Sequence, residues 1–201
     1  MVIESAIAIF LAAFYTFVAA YYAIIIGKHQ RDQAQTEFVH MGTPYSLHWW
    51  NHLTFRCFRI AIWAVCVIRI PFPALDQYLF TFQWPSVMLN LVGMIALVVG
   101  FGIAIATHHQ MHLQWRSGID HSQTSQLITQ GFYGRSRNPA YIGVAVAQIG
   151  FALALPSGFS LMCLAIGLNA LRVQIKLEEA FLSNTYGSAY RDYQANVPRW
   201  L

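Results

Sequence analysis

Residues 140–177 read AYIGVAVAQIGFALAL, then PSG, then FSLMCLAIGLNALRVQIKL. The first apolar piece, 140–155, has no charged residue, and the second, 159–177, has none before Arg172. At about 1.5 Å per residue, each is near the minimum length for a hydrocarbon core of about 30 Å. Pro156, Ser157 and Gly158 leave room only for a tight turn between them. The stretch therefore predicts two antiparallel membrane helices joined as a hairpin.

Working outward, three more apolar segments precede the hairpin. Residues 2–27 form the first, with Glu4 at its outer edge. The second begins near Leu47 and stops before Pro71 and Pro73, which break a helix by removing donors and crowding the preceding turn. The third covers 85–107, where Gly93, Gly100 and Gly102 invite close approach of a neighbouring helix. Residues 108–139 form a long polar connection. The composition agrees: of 201 residues, 57% are hydrophobic and 10% charged, where a soluble domain carries about 25% charged residues. The expected fold class is all-α, a polytopic membrane helix bundle of five transmembrane helices with a C-terminal amphipathic helix. One domain is expected over 1–201, with three spans in 1–109 and the polar loop, hairpin and tail in 110–201.

The charge of +4 is spread over the loops. That suits contact with anionic lipid headgroups, and it excludes nucleic acid, which needs clustered Lys and Arg on a soluble face. Cys57, Cys66 and Cys163 lack CxxC spacing and lie in apolar stretches, so they read as small buried hydrophobes. The first apolar run has no basic lead and exceeds a signal-peptide core, so it reads as a retained span. Lys28, Arg31, Arg56, Arg59, Arg116, Arg135, Arg137, Lys176, Arg191 and Arg199 fall at one end of the spans, with Arg69 an exception. Basic residues stay cytoplasmic, which puts the N-terminus outside and the tail inside. The small size without long loops points to a prokaryotic inner membrane.

Three groups of residues stand out on the predicted cytoplasmic side. In Arg137-Asn138-Pro139-Ala140-Tyr141, Pro139 suits the first helical position and Asn138 the cap. The fourth span then opens with free N–H groups and a positive dipole end, a seat for a carboxylate or phosphate. Gly131 and Gly134 let the preceding chain turn and approach a ligand. Glu178 and Glu179 close the fifth span, an unfavourable place for acidic side chains that a bound cation would explain. Tyr186, Tyr190 and Tyr193 then recur at helical spacing with Phe181 and Leu182, as in an amphipathic helix on the membrane surface with tyrosine anchors. Finally, His48, His52, Arg56 and Arg59 share one helix stripe, and His108 and His112 form a second i,i+4 pair beside His109. Such pairs can build metal sites, but the carboxylate support is missing, and no metal is assigned.

Taken together, the C-terminal half resembles the superfamily of isoprenylcysteine carboxyl methyltransferases and phospholipid methyltransferases, which are integral membrane enzymes. The resemblance covers 110–201. It rests on Leu127-Ile128-Thr129-Gln130-Gly131-Phe132-Tyr133, on Arg137 through Gly143, on Glu178-Glu179 with Tyr186-Gly187-Ser188-Ala189-Tyr190, and on Val197-Pro198-Arg199. It implies S-adenosyl-L-methionine as cofactor and a lipophilic acceptor reached through the bilayer: an isoprenylcysteine-like carboxylate, a phospholipid or another apolar nucleophile. It also implies a cofactor pocket lined by Gln126, Leu127, Ile128, Gly131, Tyr133, Arg137, Asn138, Pro139 and Tyr141, with Glu178 on the cofactor's amino-acid end. Glu179 or a histidine of the stripe is a candidate base for an acceptor that must lose a proton. Asn138 stands where many relatives carry His. Gln174 stands where carboxyl methyltransferases carry an arginine, four residues before the matched glutamate. Arg172 and Arg116 are the candidate replacements, although Arg172 lies about 200° around the helix from Gln174. Two other readings stay open: an NADPH-dependent membrane reductase of the sterol reductase type, and a non-enzymatic haem- or metal-binding membrane protein.

Overall fold

A computed structural model describes residues 2–32, 39–111, 117–118 and 127–201. The helices are α1 (Val2–Asp32), α2 (Leu47–Ile68), the single turn α3 (Leu75–Tyr78), α4 (Val87–Met111), α5 (Pro139–Ala154), α6 (Gly158–Tyr186) and α7 (Ser188–Asn196). A single 3₁₀ turn, Gly131–Gly134, precedes α5. The only strands among the described residues are β1 (Val39–His40) and β2 (Ser117–Gly118), a two-residue parallel pairing, and a single antiparallel bridge joins Thr81 to Ser157. The chain is thus an all-α bundle. Four helices (α1, α2, α4 and α6) are long and apolar enough to cross a membrane. Helix α5, with 16 residues, spans about 24 Å, so it falls short of a core of about 30 Å.

The hairpin forms for the reason its turn announces. Ser157 caps α6 by accepting from the Ser160 amide at 3.0 Å, and the Ser160 hydroxyl accepts from the Ser157 amide at 3.2 Å. This reciprocal cap lets both fully buried serines sit without a solvation penalty. At the same end, Asn90 and Trp84 donate to the last carbonyls of α5, at 3.2 Å to Ala154 and 3.0 Å to Leu153, satisfying groups that a helix end leaves open.

Helices α4 and α5 touch backbone to backbone. A Cβ on Gly100 would lie 2.5 Å from the Ala147 amide, and one on Gly150 would lie 2.6 Å from the Leu97 amide. Gly93 and Gly143 are equally tight, so small residues two turns apart on each helix build the seam. Gly102, grouped with them by sequence, faces open space. Helix α1 docks by aromatic edges, with Phe14 and Tyr21 against Phe101 at 5.7 and 5.8 Å. Trp63 of α2 donates to Thr16 of α1 at 3.1 Å. Leu11, Cys66, Leu97, Phe151, Leu155 and Cys163 form the core where all five long elements meet; both buried cysteines are hydrophobes there, while Cys57 is exposed.

Three expectations are corrected. The fifth span does not end at Leu177: α6 runs on to Tyr186, so Glu178 and Glu179 lie inside a helix and not at its C-terminus. Tyr190 and Tyr193 are not surface anchors; they are buried, turned from α7 onto the bundle. Cys57, expected as a small buried hydrophobe, is exposed. Arg69, just past the end of α2, is buried and paired with Asp76, its Nη2 donating at 3.0 Å.

Candidate functional site

The two adjacent glutamates sit in different surroundings. Glu179 is buried and ringed by cations. Arg199 grips it with two bonds, Nη2 to Oε2 at 2.7 Å and Nε to Oε1 at 3.1 Å. Arg137 approaches the same carboxylate at 3.5 Å. The Asn138 side chain donates to Glu179 Oε1 at 3.3 Å and to the Arg199 carbonyl at 3.2 Å. Asn138 does occupy the position before α5, but its side chain caps nothing. It ties the loop to α6 and the tail.

The rest of the tail is strapped down around this ion pair. The Arg137 amide donates to the Pro198 carbonyl at 3.0 Å, and the Ser136 hydroxyl to the Arg199 carbonyl at 3.2 Å. Tyr193 of α7 donates its hydroxyl to the Tyr133 carbonyl at 2.7 Å. Burial pushes the Tyr190 and Tyr193 phenols up to about 12. The bond to Glu179, and then its charge, raise the Arg199 guanidinium above its ordinary value. Together Val197-Pro198-Arg199 and α7 hold the entry to α5 against α6.

Glu178, one residue earlier, turns the other way. Its Oε1 accepts from the Tyr141 hydroxyl, one turn into α5, and from Gln174 Nε2 at 2.9 Å. Gln174 in turn accepts from Asn51 of α2 at 3.1 Å, and Asn51 also donates to the Ala170 carbonyl. A chain of neutral donors thus runs from α2 through α6 to the start of α5, ending on a carboxylate. Among the described residues, no Arg, Lys or His pairs with Glu178. Tyr133 lies nearby, its phenol donating to Met111 Sδ at 3.1 Å. Burial raises that phenol well above its ordinary value, and the Glu178 charge adds to the effect.

The structure thus brings Tyr133, Tyr141 and Glu178 together, and joins Arg137 and Asn138 to Glu179. Pro139 takes the first helical position and is buried. Leu127 and Ile128 are half-buried just ahead of the 3₁₀ turn. Gly131 has φ +62 and makes the expected turn, but Gln110 of α4 fills the space over it: a Cβ would meet Gln110 Nε2 at 2.3 Å. Arg172 is exposed and does not join the buried Gln174. Gln126, Arg116 and His112 lie outside the described residues. Among those described, no group of three or more His, Cys, Asp or Glu gathers as a metal site would.

Sequence reasoning missed Asn51, and with it the tie from α2. The signal was present: Asn51 lies between His48 and His52, three residues from one and adjacent to the other. It fell outside the histidine stripe by about 60°. Gln174 was noticed only as a departure, although its place one turn before Glu178 put both on one face.

A protein-family model described as phospholipid methyltransferase matches residues 88–189, just over half of the chain. No curated protein and no solved structure matches it.

Proposed function

The chain belongs to the phospholipid methyltransferase family, and from that premise we propose that it is an S-adenosylmethionine-dependent membrane methyltransferase for a lipophilic acceptor. The observation that carries the reading is Glu178: a carboxylate that, among the described residues, is held by neutral donors alone, Tyr141 and Gln174. Such a carboxylate has its negative charge in hand for a cation. The cofactor's amino-acid end carries an ammonium group of the right sign. It also carries a carboxylate, and the first turn of α5, which no side chain caps, offers that group amide donors and the positive end of a helix dipole. The residues present therefore fit both ends of a zwitterion.

When bound, the cofactor supplies a methyl group already activated on a positively charged sulfur. The chain's task is then placement and exclusion of water. Glu178 and the α5 start hold the donor, and Tyr141 and Gln174 fix the carboxylate's direction. Tyr133, half-buried near it, helps keep water away from the same corner. Glu179 is not given the role of base here: its oxygens are occupied by Arg199, Arg137 and Asn138, so it acts as a clamp on the tail. Arg172, exposed, is given no role. An apolar acceptor reaches this corner laterally from the bilayer, and the basic residues around it set it on the cytoplasmic face.

The test is to incubate membranes containing the chain with S-adenosylmethionine labelled in its methyl group and to identify labelled lipids by mass spectrometry. Label in an extractable lipid, absent from membranes lacking the chain, is expected. A thermal shift with NADPH and none with S-adenosylmethionine would overturn the reading.

A further inference from the structure

We propose that His52, Arg56 and Arg59 of α2 form the site that holds an anionic headgroup, a phosphate or carboxylate, of the acceptor lipid. This rests on the methyltransferase reading and adds the acceptor's chemistry to it. All three residues precede the matched segment 88–189, so the family assignment says nothing about them.

The argument starts from charge at membrane depth. Helix α2 is one of the four long enough to span, and it contains no Asp or Glu. Two arginines within such a helix are costly, and charged groups there mark a site by default. Both are exposed, and neither has an ion pair among the described residues. Arg59 Nε donates to the Phe55 carbonyl at 3.3 Å, so its stem runs back toward the start of α2, as a snorkelling side chain does. The groups that face it are Tyr22 of α1 and Arg56; those that face His52 are His48, Arg56 and Arg59. No carboxylate of the described residues is among them. Glu179 is consumed by Arg137 and Arg199, and Glu178 is turned to Tyr141.

The second observation is independent of charge. His52 Nε2 is buried and has no hydrogen-bond partner among the described residues. A buried polar atom left open is unfavourable unless something else meets it. An oxyanion at this stripe would satisfy the His52 ring and both guanidinium groups together, and arginine suits phosphate and carboxylate through paired donors. The stripe shares α2 with Asn51, the residue that ties this helix to the donor corner. Asn51, next to His52, is bonded to Gln174, which is bonded to Glu178. A lipid whose headgroup anion sits on α2 would therefore present its reactive group toward α5 and α6.

The test uses the full chain in neutral detergent and two probes with identical tails: dioctanoyl phosphatidic acid and dioctanoylglycerol. Trp49, Trp50 and Trp63 on α2 report binding by fluorescence. The wild type should respond saturably to the phosphate probe only, and Arg56→Gln with Arg59→Gln should weaken that response about tenfold or more. The same double variant should raise the acceptor KM while S-adenosylmethionine affinity, which doubles as the check of folding, stays put. Arg56→Lys with Arg59→Lys should recover part of the binding. Equal responses to both probes, or an unchanged double variant, would overturn the proposal. So would lost phosphate binding with an unchanged acceptor KM, which would make the arginines anchors for bulk lipid. A wild type that binds the phosphate probe through these arginines yet transfers no methyl group to any lipid would sink the methyltransferase reading alone.

Discussion

Substituting the neighbouring glutamates one at a time should produce opposite defects. In Glu178→Gln the new carbonyl can still accept from Tyr141 and Gln174. The lost charge-assisted part of those bonds and the relief of a charge held without a cation oppose each other, so stability should change by about 1 kcal/mol or less. In Glu179→Gln two guanidinium groups lose their counter-charge. The side chains of Glu179 and Arg137 are 8% and 11% exposed, and breaking a pair so buried costs about 3–5 kcal/mol. Arg199, at 46% exposure, is partly screened by solvent, and with that discount the expected loss is about 2–4 kcal/mol. Thermal unfolding in detergent, followed by tryptophan fluorescence, measures the stabilities. Equilibrium binding of tritiated S-adenosylmethionine, at a temperature where both variants are folded, measures the donor site. Glu178→Gln should unfold like the wild type and lose donor affinity by about tenfold or more; Glu179→Gln should unfold early and still bind. If Glu179→Gln proves as stable as Glu178→Gln, the clamp is wrong. If Glu178→Gln binds donor like the wild type, the donor site is wrong.

Three further outcomes follow from the same geometry. Gly100→Ala and Gly150→Ala should each cost about 1–3 kcal/mol, because the new methyl meets backbone that cannot yield, whereas Gly102→Ala, facing open space, should be neutral or gain up to about 1 kcal/mol in helix propensity; unfolding in detergent compares the three. Tyr141→Phe should leave stability within about 1 kcal/mol and weaken donor binding several-fold, since Glu178 loses one of its two fixing bonds; unchanged affinity would remove Tyr141 from the site. The Tyr190 and Tyr193 phenols ionise only near 12 in the folded chain against an ordinary 10.0. The folded state thus holds these protons more tightly, and the stability this gives is intact below pH 10 and lost as pH rises toward 12. Limited proteolysis across that range should therefore release the C-terminal segment in step with the tyrosinate absorbance.

The hairpin, the glycine seam and the helical class were legible because each depends on local rules: apolar length, a Pro-Ser-Gly turn, small residues two turns apart. The errors came where tertiary contacts override local preference. Asn138 has the right identity for a cap, yet the Glu179 carboxylate and the Arg199 carbonyl claim its side chain. A search for caps cannot see a partner 41 residues away. Tyr190 and Tyr193 have the periodicity of an amphipathic helix, and periodicity is blind to whether the apolar face meets lipid or protein. Here it meets protein, because Arg199 and Glu179 pull the tail onto the bundle. The end of α6 was misplaced because two adjacent acidic residues look like a helix reaching water, and the compensating cations lie far away in sequence at Arg137 and Arg199.

The Glu178-Glu179 doublet carries the broader point. Adjacent residues on a helix diverge by about 100°, so the pair cannot serve one site. One member faces the tail and meets two arginines; the other faces α5 and, among the described residues, meets a phenol and an amide alone. The clamp holds the start of α5 close to α6, and only that closeness lets Tyr141 reach Glu178. A carboxylate left without a cation is affordable on α6 because its neighbour's ion pair fixes the helix around it. Glu178 on α6 and the arginines on α2 carry charges of opposite sign, and Asn51 and Gln174 tie the two helices together. A donor carrying an ammonium group and an acceptor carrying an oxyanion would pair with them respectively, and this charge pattern would keep either molecule from occupying the other's place.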